Sequence, residues 1–313
     1  RTPGHNARAQ ARVVAINLRA APQLCSAVQW CGPLGRSIFR FDPKIQCAIG
    51  NDSAMPHIRV RDIDMYYEIH GTGPRLVFIG GSGGDLRDKP GVFDGPLVDH
   101  FEVLSFDQRG LGRSDVPDGP YSMEDYAEDV AALMDALGFT SCPVMGVSFG
   151  GMVALELVCR YPEKVSKLVL ACTSAGGEAG ASYPLHTLED LEPQERAALL
   201  LEISDTRFGA EWREANPEVA EKLIELSMSR GQPRSEDIAR GQHWQLEARS
   251  HHDTAARIKH VTIPTYICAG KYDGLAPPKN QLALLAAFPN ATLDYFEGGH
   301  LFLMQDRSAL EAI

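Results

Sequence analysis

Short, β-rich apolar runs alternate with segments of helical hydrophobic spacing along most of this 313-residue chain, and few architectures accept that order. Residues 58–63 and 65–69 alternate like two strands of a hairpin, and 75–79 and 101–106 are short and apolar. Residues 123–137 then carry Tyr126, Val130, Leu133, Met134 and Leu137 at helical spacing, closed by Gly138. Strand, helix and strand follow at 143–147, 150–160 and 165–171. The order strand, helix, strand places parallel strands in one sheet with helices on both faces. The expected class is therefore α/β, a mostly parallel central sheet flanked by helices.

The alternation stops between 176 and 257. That stretch holds helix formers at 188–203, 218–230 and 235–249 without a convincing strand, and reads as a helical insertion. Strand 264–269, helix 278–288, strand 291–296 and a final helix from about Leu301 complete the pattern. The expected organisation is a core at 55–175 and 258–313 with the insertion at 176–257. The chain ends inside the last helix, so the natural C-terminus is expected to extend past Ile313.

Residues 1–54 differ from the rest. They carry seven basic and two acidic residues, a charge of +5, while the whole chain is at −11, which leaves −16 for the remainder. Three readings of this arm stand level: an ordered arm on an acidic body, a targeting remnant, or residues upstream of a natural start at Met55. The net negative charge argues against a nucleic-acid partner, whose phosphates need clustered Lys and Arg. No apolar stretch approaches the length of a membrane span. The seven cysteines are odd in number and include no Cys-x-x-Cys pair, so they read as reduced thiols in a reducing, cytoplasmic compartment, with Cys142, Cys172 and Cys268 as buried small hydrophobes. Oligomeric state is not legible in the sequence.

The string Gly146-Val147-Ser148-Phe149-Gly150 is weak alone in a chain with 29 glycines, but it stands between an expected strand and an expected helix. A sharp turn there lifts a serine hydroxyl above the sheet. Such a hydroxyl needs a base, and the base needs a third group to hold its tautomer. His300, in Gly298-Gly299-His300, and Asp273, in Lys271-Tyr272-Asp273-Gly274, each follow a strand and so open on the sheet edge that carries Ser148. Each also has a plainer reading, Asp273 as a turn former before Gly274 and His300 as a helix-start residue. The other nine histidines occupy polar or loop positions, most of them expected at the surface. His251-His252-Asp253 invites a metal, but adjacent helical positions diverge by about 100° and no further ligand cluster appears, so neither metal nor cofactor is expected. The oxyanion of acyl transfer needs two N–H donors. The backbone N–H of Phe149 is one. The loop Gly80-Gly81-Ser82-Gly83-Gly84 is the source of the other, since it lacks both the Gly-Lys-Ser/Thr ending of a P-loop and a dinucleotide spacing.

Together the loop at 80–84, the turn from Asp107 to Ser114, the elbow at 146–150, Asp273 and His300 resemble the α/β-hydrolase superfamily over nearly all of residues 58–313. The resemblance implies a Ser148, Asp273, His300 triad with the second oxyanion donor at Ser82 N–H, where Gly80-Gly81 replaces the usual His-Gly. It implies that the insertion is a cap supplying the acyl pocket, with Trp212, Trp244 and Phe208 as candidate lining residues against their plainer reading as core. It assigns the 107–114 turn no catalytic role. The expected activity is hydrolysis of small or medium acyl esters. Lactone, enol-lactone or carbon–carbon bond hydrolysis on the same residues is the alternative. A ligand receptor with little turnover and a partner-binding role of the basic arm are the minority readings.

Overall fold

Tyr126, Val130, Leu133 and Met134 all lie on the buried face of one helix, as their spacing requires. The computed structural model describes residues 56–230 and 232–313, and the expectations for the arm at 1–54, with Cys25, Cys31 and Cys47, lie outside the described residues. The first half runs β1 (His57–Val60), β2 (Ile63–His70), β3 (Arg75–Ile79), α1 (Leu97–His100), β4 (Glu102–Phe106), α2 (Met123–Ala136), β5 (Cys142–Val147), α3 (Phe149–Arg160) and β6 (Val165–Ala171). Helices α4 (Gly177–Gly180), α5 (Pro193–Ser204), α6 (Ala210–Ala215), α7 (Pro217–Arg230) and α8 (Glu236–Ser250) follow with no strand among them. The chain then returns through β7 (Thr265–Gly270), α9 (Pro278–Ala287), β8 (Ala291–Phe296), α10 (Phe302–Gln305) and α11 (Arg307–Ala312).

Local chemistry sets these bounds. At the start of α2, Ser122 Oγ accepts the Asp125 N–H and the Asp125 carboxylate accepts the Ser122 N–H, a reciprocal cap. Past its end, Gly138 takes φ +72°, a left-handed conformation that glycine adopts without Cβ strain. The single final helix expected from Leu301 is two short ones. Asp306 interrupts them, its carboxylate accepting the Ser308 N–H to start α11.

The eight strands are ordered β1-β2-β4-β3-β5-β6-β7-β8, antiparallel at β1/β2 and β2/β4 and parallel elsewhere. Side chains alternate between two cores. From β3, Val77 and Ile79 join the cluster holding α2 and α3, while Leu76 and the partly buried Phe78 join the cluster holding Leu97, Phe302 and Ala309. Burial on both faces explains why this strand reads as one continuous apolar run. The chain steps from β3 to β4 on one side and reaches β5 on the other, so the order reverses at β3. Ligands of open α/β sheets bind outside the strand ends at such a reversal. The pairing of Ile79 with Gly146 then sets the loops after β3 and β5 side by side.

Cys142, Cys172 and Cys268 are buried, and burial pushes the Cys142 thiol up to about 11 and Cys268 to about 12. Among the described residues no helix is long and apolar enough to cross a membrane.

Candidate active site

Ser148 sits between β5 and α3 at φ +54°, ψ −116°, a region that costs a non-glycine residue roughly 1–3 kcal/mol. The surroundings impose it. Ser148 N–H donates to the Ala171 carbonyl at 2.9 Å, and Thr173 Oγ1 donates to the Ser148 carbonyl at 2.7 Å. The glycines admit the close approach that results. A methyl group on Gly146 would run into the Gly150 backbone, one on Gly150 into the carbonyls of Ile79 and Gly80, and one on Gly151 into Thr173.

His300 and Asp273 meet this serine from the ends of β8 and β7. His300 Nδ1 lies 2.8 Å from Asp273 Oδ2, and His300 Nε2 lies 2.8 Å from Ser148 Oγ. A carboxylate accepts, so Nδ1 carries the proton; the bare Nε2 then accepts from the serine hydroxyl. The other carboxylate oxygen of Asp273 accepts the N–H groups of Leu275 and Ala276, both at 2.8 Å. With 1% of its surface exposed, Asp273 is fixed by backbone donors and its histidine. The same side chain organises the turn before Gly274, its plainer reading, and faces the imidazole. The backbone N–H of His300 donates to the carbonyl of Ser204, the last residue of α5, at 2.6 Å.

The loop at 80–84 lies against the serine, since a methyl built on Gly81 would stand 3.6 Å from Ser148 Cβ. Phe149 is the first residue of α3, so its N–H has no acceptor within the helix. Three side chains brace the loop and the chain just past it, Gln108 and Asp107 from the turn already noted in the sequence and Gln245 from α8, which the sequence did not single out. Gln108 Nε2 donates to the Gly80 carbonyl at 3.0 Å, Asp107 Oδ1 accepts the Leu86 N–H at 2.7 Å, and Gln245 Oε1 accepts the Gly83 N–H at 2.8 Å. Asp107 is wholly buried, and its burial pushes the carboxyl up against the pull of the Leu86 and Arg113 N–H groups. The 107–114 turn thus carries a positioning duty for the loop.

Other expectations are corrected here. His252, grouped with surface histidines, is 5% exposed and lies 3.2 Å through Nε2 from the Ser174 carbonyl. Burial lowers its pKa to about 4. Its neighbour His251 is exposed and pairs with Glu247, so the two rings do not converge. Ligand-type atoms of Cys172, Asp273 and His300 do lie within 4.8 Å of one another, but two of these groups are already joined by the hydrogen bond above and the Cys172 thiol is pushed well up by burial. Trp244 packs on Gly119 and the main core, the plainer of its two readings, while the Phe208 and Trp212 rings meet at 4.7 Å between centroids with their planes tilted by 58°.

A family model described as the alpha/beta hydrolase fold matches residues 74–306. The chain is 32% identical over 214 residues to a poly(3-hydroxyalkanoate) depolymerase of Ectopseudomonas oleovorans, covering 68% of this chain and 73% of that one. It is 25% identical over 254 residues to a 3-oxoadipate enol-lactonase of Acinetobacter baylyi, covering 78% and 89%. Its fold is similar to the solved enol-lactonase from Burkholderia xenovorans LB400, with a TM-score of 0.65 at 24% identity over 82% of this chain and 96% of that one.

Proposed function

This chain belongs to the α/β-hydrolase fold family, and we propose that within it the chain hydrolyses carboxylic esters of small or medium acyl groups through an acyl-enzyme on Ser148. The observation that carries this reading is the unbroken line from Ser148 Oγ through His300 to Asp273, with both links at 2.8 Å, beside a glycine loop. His300 Nε2 takes the hydroxyl proton as Ser148 Oγ attacks the acyl carbon. The N–H groups of Phe149 and Ser82 receive the negative charge that develops on the carbonyl oxygen. His300 then passes its proton to the leaving alkoxide, the alcohol departs, and water attacks the acyl-enzyme with His300 again as base. Asp273 holds the imidazole and stabilises its cation.

The helical segment from α4 to α8 acts as the cap in this reading. Ser204 supports the loop of the base and Gln245 the oxyanion loop, so the cap braces both halves of the site. Two relatives support the bond type: a poly(3-hydroxyalkanoate) is a polyester, and an enol-lactone is a cyclic ester. Lactone hydrolysis is the second reading, favoured by the latter relative, and uses the same steps with both products in one molecule.

The test is hydrolysis of p-nitrophenyl esters of increasing chain length and of simple lactones, together with labelling by a fluorophosphonate. Activity and labelling that both vanish in Ser148→Ala are the expected result, and the optimum sizes the acyl pocket. A folded wild type that neither labels nor turns over any ester or lactone overturns the reading.

A further inference from the structure

The end of α5 is bonded to both loops that carry the acid and the base. The Ile203 carbonyl accepts the Gly274 N–H at 2.9 Å, the Ser204 carbonyl accepts the His300 N–H at 2.6 Å, and the Thr206 N–H donates to the Tyr272 carbonyl at 2.9 Å. Asp205 stands among these residues, and its side chain is 3% exposed. Arg207 pins that carboxylate with two bonds, Nε to Oδ1 at 2.9 Å and Nη2 to Oδ2 at 2.6 Å.

A third donor reaches Asp205 from the far side of the base. Gln305, the last residue of α10, donates from Nε2 to Asp205 Oδ2 at 3.2 Å, and its Oε1 accepts the Gly299 N–H at 2.8 Å. The amide has one orientation only. A carboxylate accepts and a backbone N–H donates, so Nε2 faces Asp205 and Oε1 faces Gly299.

Gly299 immediately precedes His300 and is buried, so its N–H needs an internal acceptor. It is also pressed from two sides. A methyl on Gly299 would run into the Ser204 carbonyl and the Asp205 backbone, and one on Gly270 would run into the Gly299 carbonyl. The chain before the base is thus held by close packing and by an amide whose orientation Asp205 sets.

We propose that Asp205 is a positioning residue for His300. It orients the Gln305 amide, the amide holds the Gly299 N–H, and the backbone so fixed keeps the imidazole 2.8 Å from both Ser148 Oγ and Asp273 Oδ2. Asp205 and Gln305 act through the backbone of the base, so their loss lowers turnover by misplacing a proton acceptor and leaves substrate binding in place. The kinetic consequence rests on the hydrolase reading above.

The test exchanges the roles of the two partners. Gln305→Glu keeps an oxygen for Gly299 but sets two carboxylates against each other, and is expected to lower kcat ~10-fold with KM changed less than ~2-fold. Asp205→Asn turns an amide donor toward the Gln305 donor and is expected to cost a similar factor. The double variant Asp205→Asn, Gln305→Glu restores a donor at 205 facing an acceptor at 305, and its kcat is expected to return to within ~3-fold of wild type. Single variants that match wild type, or a double variant no faster than either single one, overturn the proposal.

A second readout needs no turnover. In proton NMR the His300 Nδ1–H, held by Asp273, is expected as a downfield resonance missing from His300→Gln. Gln305→Glu is expected to speed its exchange with water ~10-fold, and the double variant to restore it. A protein that shows this pattern without hydrolysing any ester or lactone keeps Asp205 in its role and overturns the activity alone. A resonance missing from wild type, or unmoved in both single variants, overturns the role of Asp205 whatever the activity.

Discussion

Gln245 of α8 accepts the backbone N–H of Gly83 at 2.8 Å, so a helix nearly a hundred residues after Ser148 fixes the loop beside it. The amide oxygen is the working atom. Gln245→Leu is expected to lower kcat by roughly tenfold or more, because the loop's N–H loses a buried acceptor worth about 1–3 kcal/mol. Gln245→Glu, which keeps an oxygen there, should recover part of it. Esterase kinetics on the pair decide this, and equal kcat in wild type and Gln245→Leu would remove Gln245 from any positioning role.

The strained elbow predicts a trade between activity and stability. Ser148→Gly is expected to abolish turnover while raising stability by about 1 kcal/mol, since glycine accepts φ +54° without strain. Denaturant melts beside ester assays measure both.

Asp273→Asn keeps the shape of the side chain but presents an N–H where His300 Nδ1–H now donates. A fall in kcat of about 10³ to 10⁴ is expected, with the fold kept. A loss of less than tenfold would show that the histidine holds its tautomer by other means.

Glycines in the same loop system should respond oppositely. Gly150→Ala drives a methyl into two carbonyls and is expected to cost more than about 3 kcal/mol or prevent folding. Gly80→Ala meets nothing within 4 Å and should change stability by less than about 0.5 kcal/mol. Thermal melts of the two variants compare them directly.

The buried His252 predicts an acid-side loss of stability. Its pKa is lowered from 6.5 to about 4, so the unfolded chain binds the proton first as pH falls. The stability from keeping this ring neutral is present above pH 6.5 and lost progressively between 6.5 and about 4, on the order of 3 kcal/mol. His252→Gln should flatten that slope in urea melts at stepped pH, whatever it does to stability at pH 7.

Much of the framework was legible because its signals are local. Strand β3 carries its own apolar run, β6 and β8 are short β-rich stretches, and Ser148, Asp273 and His300 each follow a strand, so chain order alone brings them to one edge. Gln245, Thr173 and Arg249 were not legible in that way, since their partners Gly83, Ser148 and Tyr183 are distant in sequence. One trace of them existed. The buried face of α8 runs Gly241, Gln245, Leu246, Ala248 and Arg249, and two long polar residues on such a stripe need internal partners. His252 was misplaced because its neighbours are polar, while burial there comes from the elements around Ser174.

The bridge between Gly176 and Asp253 draws together the two ends of the helical segment. As a matter of chain routing, the segment leaves and re-enters the sheet through a single gate, and the path from β6 to β7 does not depend on what is threaded between. Another stretch of chain closed on the same gate leaves the sheet order untouched. Its obligations to the core include a carbonyl where Ser204 now receives the His300 N–H, one where Ile203 now receives the Gly274 N–H, and an amide oxygen where Gln245 now receives Gly83. The segment is thus separable in topology while its backbone and side chains stay bound to the core at named atoms, and those atoms are the specification for transplanting it.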